Sequence, residues 1–267
     1  MDRSLRNWPQ AWKNCVKATG NMYPLDNLNV PDSPKVLSTS SPAEDAADSN
    51  SCKGNYFKGL LLDLDGTLID SEHTHLAAYR RMFKAKGWQI SDSEMDIFKG
   101  RPGPEVFHNE PGPWHGLDPE KLGLEARSYV DIRRDPPRIF AGAREIMQLK
   151  IPKCLVTSAW KQWAQLAAQL LNAPTNLKVI SQEDISAGKP DPEPYLLGAK
   201  TLKLPVSSCI VIEDTTSGVM SARAAGAGRI FGVTTSHSRA ALEKVGADLV
   251  ADRLEELLPY LGAKTGS

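Results

Sequence analysis

No apolar run in this 267-residue chain reaches the ~18–20 positions that a helix needs to cross a bilayer. The N-terminal stretch also lacks the apolar segment of a secretory signal. An excess of one charge sign is missing as well. Lys+Arg and Asp+Glu both number 32, so the formal net charge is zero and no broad positive field draws the chain to nucleic acid or an anionic membrane. Cysteine is scarce: Cys15, Cys52, Cys154 and Cys209 are widely spaced and form no CxxC pair. That pattern disfavours a disulfide framework or a zinc site and suits a reducing compartment. His73 and His75 stand two apart in a helical pattern, where side chains do not face each other, so a histidine metal site is disfavoured too. These absences point to a cytoplasmic protein, expected as a monomer, whose main partner is neither nucleic acid nor membrane.

What is present is an ordinary globular composition, 41% hydrophobic and 24% charged, long enough for one domain carrying a smaller inserted one. Residues 1–55 read differently. Asn29–Asn55 is rich in Ser, Pro, Asp and Asn, without apolar periodicity, and reads as a disordered linker. Before it, Trp8, Trp12, Cys15 and Val16 share one helical face, with Pro9 near the start and Gly20 after the end of a short helix. The plain reading is a helix that docks on the main body or has no role; the alternative is that it meets a partner.

From Phe57 the pattern changes. Leu60, Leu61 and Leu62 make a continuous apolar run, the mark of a parallel strand buried on both faces. Similar runs follow at Lys153–Thr157, Leu177–Ile180, Cys209–Glu213 and Arg229–Val233, with helical patterns at Gln162–Leu171, Pro192–Leu202 and Gly218–Ala225 between them. This alternation predicts a doubly wound α/β parallel sheet. Residues 73–137 break it. A helix is expected over Glu72–Lys86, capped by Ser71 and stopped at Gly87, with more helix around Glu120–Ile132 and no buried strand. The expected plan is therefore an α/β core of 56–72 and 138–267, with a helical cap at 73–137.

Ligands of open α/β sheets bind at the carboxyl ends of the strands. There the sequence places Asp63, Thr157–Ser158 and Glu213–Asp214, with Lys189 in the loop after the third run. Asp63 and Asp65 lie two residues apart just past a strand, with Gly66 permitting a turn. One carboxylate of such a pair can attack phosphorus; the other can give a proton to the leaving oxygen and later take one from water. Each residue alone has a plainer reading, as a turn or helix cap or a solvated lysine. Four such coincidences at four strand ends outweigh it.

The segment DLDGTLIDS around Asp63 resembles the first motif of the haloacid dehalogenase-like superfamily. LVTSA around Thr157 and Ser158 resembles the second, GKPDPEPY with Lys189 the third, and VIEDTTSGVMSARAAG with Glu213 and Asp214 the fourth. The resemblance covers residues 56–262. It implies an aspartyl-phosphate formed on Asp63, with Asp65 as general acid and then base. It implies magnesium (Mg2+) held by Asp63, the Asp65 carbonyl and Asp214, with Glu213 on a metal-bound water. Lys189, one hydroxyl of Thr157 or Ser158, and the amides of Leu64 and Ala159 would hold phosphate oxygens. Arg101, in Lys99-Gly100-Arg101, resembles a cap-loop residue that touches substrate, while the Pro/Gly-rich stretch Asn109–Leu122 with Trp114 and His115 departs from the pattern. Asp65 argues against dehalogenation, because a halide leaves without a proton. The implied activity is hydrolysis of a small phosphorylated metabolite, most resembling glycerol-phosphate and 2-deoxyglucose-6-phosphate phosphatases. The alternatives are a phosphomutase of the β-phosphoglucomutase type and a non-catalytic scaffold.

Overall fold

The computed structural model describes residues 57–261. Six strands form one parallel sheet in the order β5-β4-β1-β6-β7-β8. They are β1 (Gly59–Leu62), β4 (Lys153–Val156), β5 (Lys178–Ile180), β6 (Cys209–Glu213), β7 (Arg229–Val233) and β8 (Leu249–Ala251). Every residue of β1, β4 and β6 is buried, as continuous apolar runs require when helices cover both faces. Successive side chains of a strand alternate in direction. Leu60 and Leu62 accordingly join Ile146, Trp163 and Ala167 on one face, while Leu61 joins Tyr195, Val219 and Ala222 on the other. Burying each such leucine contributes roughly 1.5–3 kcal/mol before chain entropy is subtracted.

The helices of the first face are α5 (Ala143–Gln148), α6 (Lys161–Leu170) and α10 (Leu258–Leu261); those of the second are α7 (Glu193–Thr201), α8 (Thr216–Ala225) and α9 (Arg239–Lys244). The doubly wound α/β sheet is thus as expected. Cys154 and Cys209 are buried and unpaired in its interior.

The insertion leaves the core after a two-residue strand, β2 (Ile69–Asp70), and returns through β3 (Arg138–Ile139), which pairs with β2 antiparallel. Among the described residues no strand lies between them. The segment holds α1 (Glu72–Ala85), α2 (Asp92–Met95), α3 (Gly103–Asn109) and α4 (Pro119–Ser128). It has its own small core: Met82 and Phe83 of α1 pack with Phe98, Val106, Phe107, Trp114 and Leu122. Trp114, in the stretch that departs from the family pattern, is 2% exposed and packs within this helical core.

Three expectations need revision. Helix α4 ends at Ser128 rather than near Ile132, because the Asp131 side chain caps a following turn at Arg133 and Arg134. Ser71 precedes α1, but its side chain makes no cap hydrogen bond. Helix α8 begins two residues earlier than its apolar pattern, because the Thr215 hydroxyl accepts the Gly218 amide as N-cap. The short helix expected around Trp8 and Trp12, and the linker after it, lie outside the described residues. No described helix is long and apolar enough to cross a membrane.

Candidate active site

At the carboxyl end of β1 the chain turns back tightly. The amides of Thr67, Leu68 and Ile69 all reach the Leu64 carbonyl, at 3.3, 2.8 and 3.1 Å. Gly66 takes φ +86°, and a Cβ there would overlap the Asp214 carboxylate, so the turn and its approach to β6 both demand glycine. The turn leaves Asp63 and Asp65 at one end of the sheet with different surroundings.

Asp63 is buried against Lys189. The Lys189 ammonium, 6% exposed, donates to Asp63 Oδ1 at 2.6 Å, Glu213 Oε1 at 2.6 Å and the Val156 carbonyl at 2.9 Å. Glu213 is fully enclosed. Its Oε1 also accepts the Tyr195 hydroxyl at 2.7 Å, and its Oε2 accepts the amides of Asp214 and Thr215 and the Thr215 hydroxyl. A Cβ on Gly218 would overlap this carboxylate, so α8 can pass so close only with glycine there. Asp214 Oδ1 accepts the Thr67 hydroxyl at 3.0 Å, whereas its buried Oδ2 has no hydrogen-bond partner among the described residues.

Oxygens of Asp63, Glu213 and Asp214 lie within 4.8 Å of one another. Burial pushes the Asp63 carboxyl well above the usual carboxylate range, and the neighbouring carboxylates add to this against the pull of Lys189. Burial, then Glu213, pushes Asp214 up to about 7. For Glu213 burial acts in the same direction, but the Lys189 charge and the hydrogen bonds outweigh it and hold the carboxyl low. One ammonium thus faces three buried carboxyls, and among the described residues Asp214 Oδ2 has no hydrogen-bond partner. That donor set fits a hard divalent cation, which prefers carboxylate oxygens.

Asp65 faces elsewhere. Its Oδ1 accepts the Ser71 hydroxyl and the Trp163 indole N–H, the latter at 2.9 Å, and its side chain is 30% exposed. His75 Nε2 stands 4.0 Å from the same oxygen, and its ring meets Trp163 edge-on with centroids 4.7 Å apart.

The structure also places the remaining expected residues. Thr157 is buried, and its Oγ1 accepts the Ala159 amide at 3.0 Å; Ser158 is exposed. The Ala159 amide, expected to face a phosphate, is therefore already engaged. The Leu64 amide finds no protein acceptor among the described residues. Arg101 is bound within the insertion, to Glu105 at 3.0 Å and Glu110 at 2.6 Å. The core and insertion meet where Arg127 of α4 stacks over Trp160, 5.0 Å from its ring centroid, and donates to Gln182.

Sequence reasoning did not assign Thr67, Tyr195 or Trp163 to the site, and it read Ser71 only as a helix cap. Thr67 and Tyr195 sit inside the quoted motifs and could have been found there. Nothing in the spacing marks Trp163.

The chain matches the family described as haloacid dehalogenase-like hydrolase over residues 57–226. It is 35% identical to validoxylamine A 7'-phosphate phosphatase of Streptomyces hygroscopicus subsp. limoneus, over 77% of this chain and 99% of that protein. It is 27% identical to glycerol-1-phosphate phosphohydrolase 1 of Saccharomyces cerevisiae, over 74% of this chain and 82% of that one. A hydrolase structure from Pseudomonas syringae shares the fold, with a TM-score of 0.61 at 23% identity, covering 78% of this chain and 99% of that one.

Proposed function

The chain belongs to the haloacid dehalogenase-like hydrolase family and is a phosphoric monoester hydrolase, and from that premise we propose that it is a magnesium-dependent phosphatase of a polyol or sugar phosphate, working through an aspartyl-phosphate on Asp63. The observation that carries this reading is the enclosed group of Asp63, Glu213 and Asp214 around Lys189 at the carboxyl end of the sheet. A lone buried lysine does not neutralise three carboxyls, and a bound Mg2+ would supply the missing positive charge for both the carboxylates and an incoming phosphate. Asp63, Asp214 and the Asp65 carbonyl would hold it, with Glu213 ordering its hydration.

The chain's own residues account for the steps. Asp63 attacks phosphorus, forming a new O–P bond as the ester O–P bond breaks. The departing alkoxide takes a proton from Asp65. Water then attacks the phosphoryl phosphorus, giving its proton to Asp65 and returning Asp63 as a carboxylate with release of inorganic phosphate. Lys189 favours the ionised form of Asp63 against the burial that opposes it, a bound Mg2+ would add to that pull, and the ammonium holds a phosphoryl oxygen as charge develops. We assign the contacting hydroxyl to Thr157. It is buried, and because its oxygen accepts the Ala159 amide, its O–H is left to donate.

Residues 73–137 act in this proposal as a lid over the α/β core of 56–72 and 138–267, excluding water and selecting the alcohol. Arg101 would reach substrate only after exchanging its Glu105 and Glu110 partners. The relatives named for validoxylamine A 7'-phosphate and glycerol 1-phosphate support a hydroxyl-rich alcohol as leaving group.

The test is phosphate release from a panel of glycerol, hexitol, hexose and deoxyhexose phosphates and β-glucose 1-phosphate, with magnesium and then with EDTA. Magnesium-dependent release with one preferred ester is expected. Conversion of β-glucose 1-phosphate to the 6-phosphate without release would instead make the protein a mutase.

A further inference from the structure

Trp163 is 1% exposed and lies in α6, within the core cluster beneath the sheet. A buried indole N–H can only donate and needs an acceptor. Its acceptor is Asp65 Oδ1, at 2.9 Å, on a residue 98 positions away. The Ser71 hydroxyl donates to the same oxygen. Among the described residues Oδ2 accepts no hydrogen bond. The two donors come from different elements: Ser71 directly precedes α1, whereas Trp163 lies in α6.

From this we propose that Trp163 is a positioning residue, clamping Oδ1 of Asp65 to the core so that Oδ2 alone faces the leaving-group oxygen. The inference rests on the reading of Asp65 as general acid and base. Rotation of the carboxyl about its own axis would exchange the two oxygens, and a donor fixed in a packed helix opposes that rotation. The indole is itself held in place: its ring lies 5.8 Å from that of Trp160 and meets His75 edge-on at 4.7 Å. Misplacing a reacting group by about 1 Å can cost on the order of 10²-fold in rate.

The test separates esters by their need for a proton. In Trp163→Phe an aromatic ring of smaller size stays and the N–H is lost. The kcat/KM for the preferred alkyl phosphate should fall about 10- to 100-fold, since a poor leaving group needs the acid. For p-nitrophenyl phosphate, whose phenolate leaves unaided, it should fall by no more than about twofold. Equal losses on both esters, or no loss on either, would overturn the inference. Asp65→Asn is run alongside. If that variant keeps alkyl phosphate turnover, the acid–base reading itself fails; if it loses turnover while Trp163→Phe shows no ester dependence, only the positioning role fails. Circular dichroism checks the fold. Should the Phe variant not fold, benzothienylalanine at position 163 keeps the ring volume without the N–H and gives the same comparison.

Discussion

Asp63, Glu213 and Asp214 share a space with one ammonium, and the properties of the site follow from that imbalance. Asp63→Asn keeps the shape and removes the proposed nucleophile. Turnover should fall at least about 10³-fold, roughly 4 kcal/mol of transition-state stabilisation, with the melting temperature near that of the wild type. Gly218→Ala pushes a methyl into the Glu213 carboxylate; a loss of about 1–3 kcal/mol in a urea melt is expected from the overpacking, together with weaker magnesium activation. The pH dependence has a defined sign. Asp214 titrates at about 7 in the fold against an ordinary 3.8, so the folded state holds a proton that the unfolded chain releases earlier. That contribution is complete below pH 3.8 and is lost as pH rises through about 7. In EDTA this group should therefore lower the melting temperature between pH 5 and pH 8, and the rise produced by magnesium should be larger at pH 8; an equal rise at both would contradict the assignment. The carboxylates and the lysine of the proposed site were legible in the sequence because the carboxylates lie at or just past strand ends and the lysine in a loop that follows one, all inside short motifs. Trp163 was not, because its bond to Asp65 exists only once α6 packs against the first loop.

At the scale of elements, legibility followed length and periodicity. The all-buried strands β1, β4 and β6 announced themselves as apolar runs. Strand β8 has three residues and α9 six, too short for a period to emerge, and both take their place from packing at the sheet's edge. The β2–β3 pair, two residues each, has no pattern of its own and exists because the insertion must leave and rejoin the core at one point. The stretch around Trp114 departs from the family pattern, and the structure uses it for packing within the insertion rather than leaving it as loose loop. Its indole is stacked near Phe83, with centroids 5.7 Å apart, and donates to the Glu110 carbonyl. Such packing predicts that Phe83→Ala costs about 3–5 kcal/mol in denaturant unfolding, whereas a value below about 1 kcal/mol would mean that the insertion's core does not stabilise the fold.

For the whole molecule, division of labour explains the architecture. A doubly wound sheet covered on both faces fixes four loop ends, and those loops carry the site. The helical insertion joins the core at a two-stranded pair, carries its own apolar core and touches the main body through Arg127 on Trp160 and Gln182 and through His75 on Trp160 and Trp163. The central claim is that phosphate passes through Asp63. It is tested most directly by acid-quenching the enzyme during turnover of its preferred phosphate ester with magnesium, then measuring the mass of the peptide that bears Asp63. The account predicts one added phosphoryl group on that residue, absent in Asp63→Asn and absent in EDTA. Rapid turnover with no phosphoryl adduct, or an adduct on another residue, would contradict it.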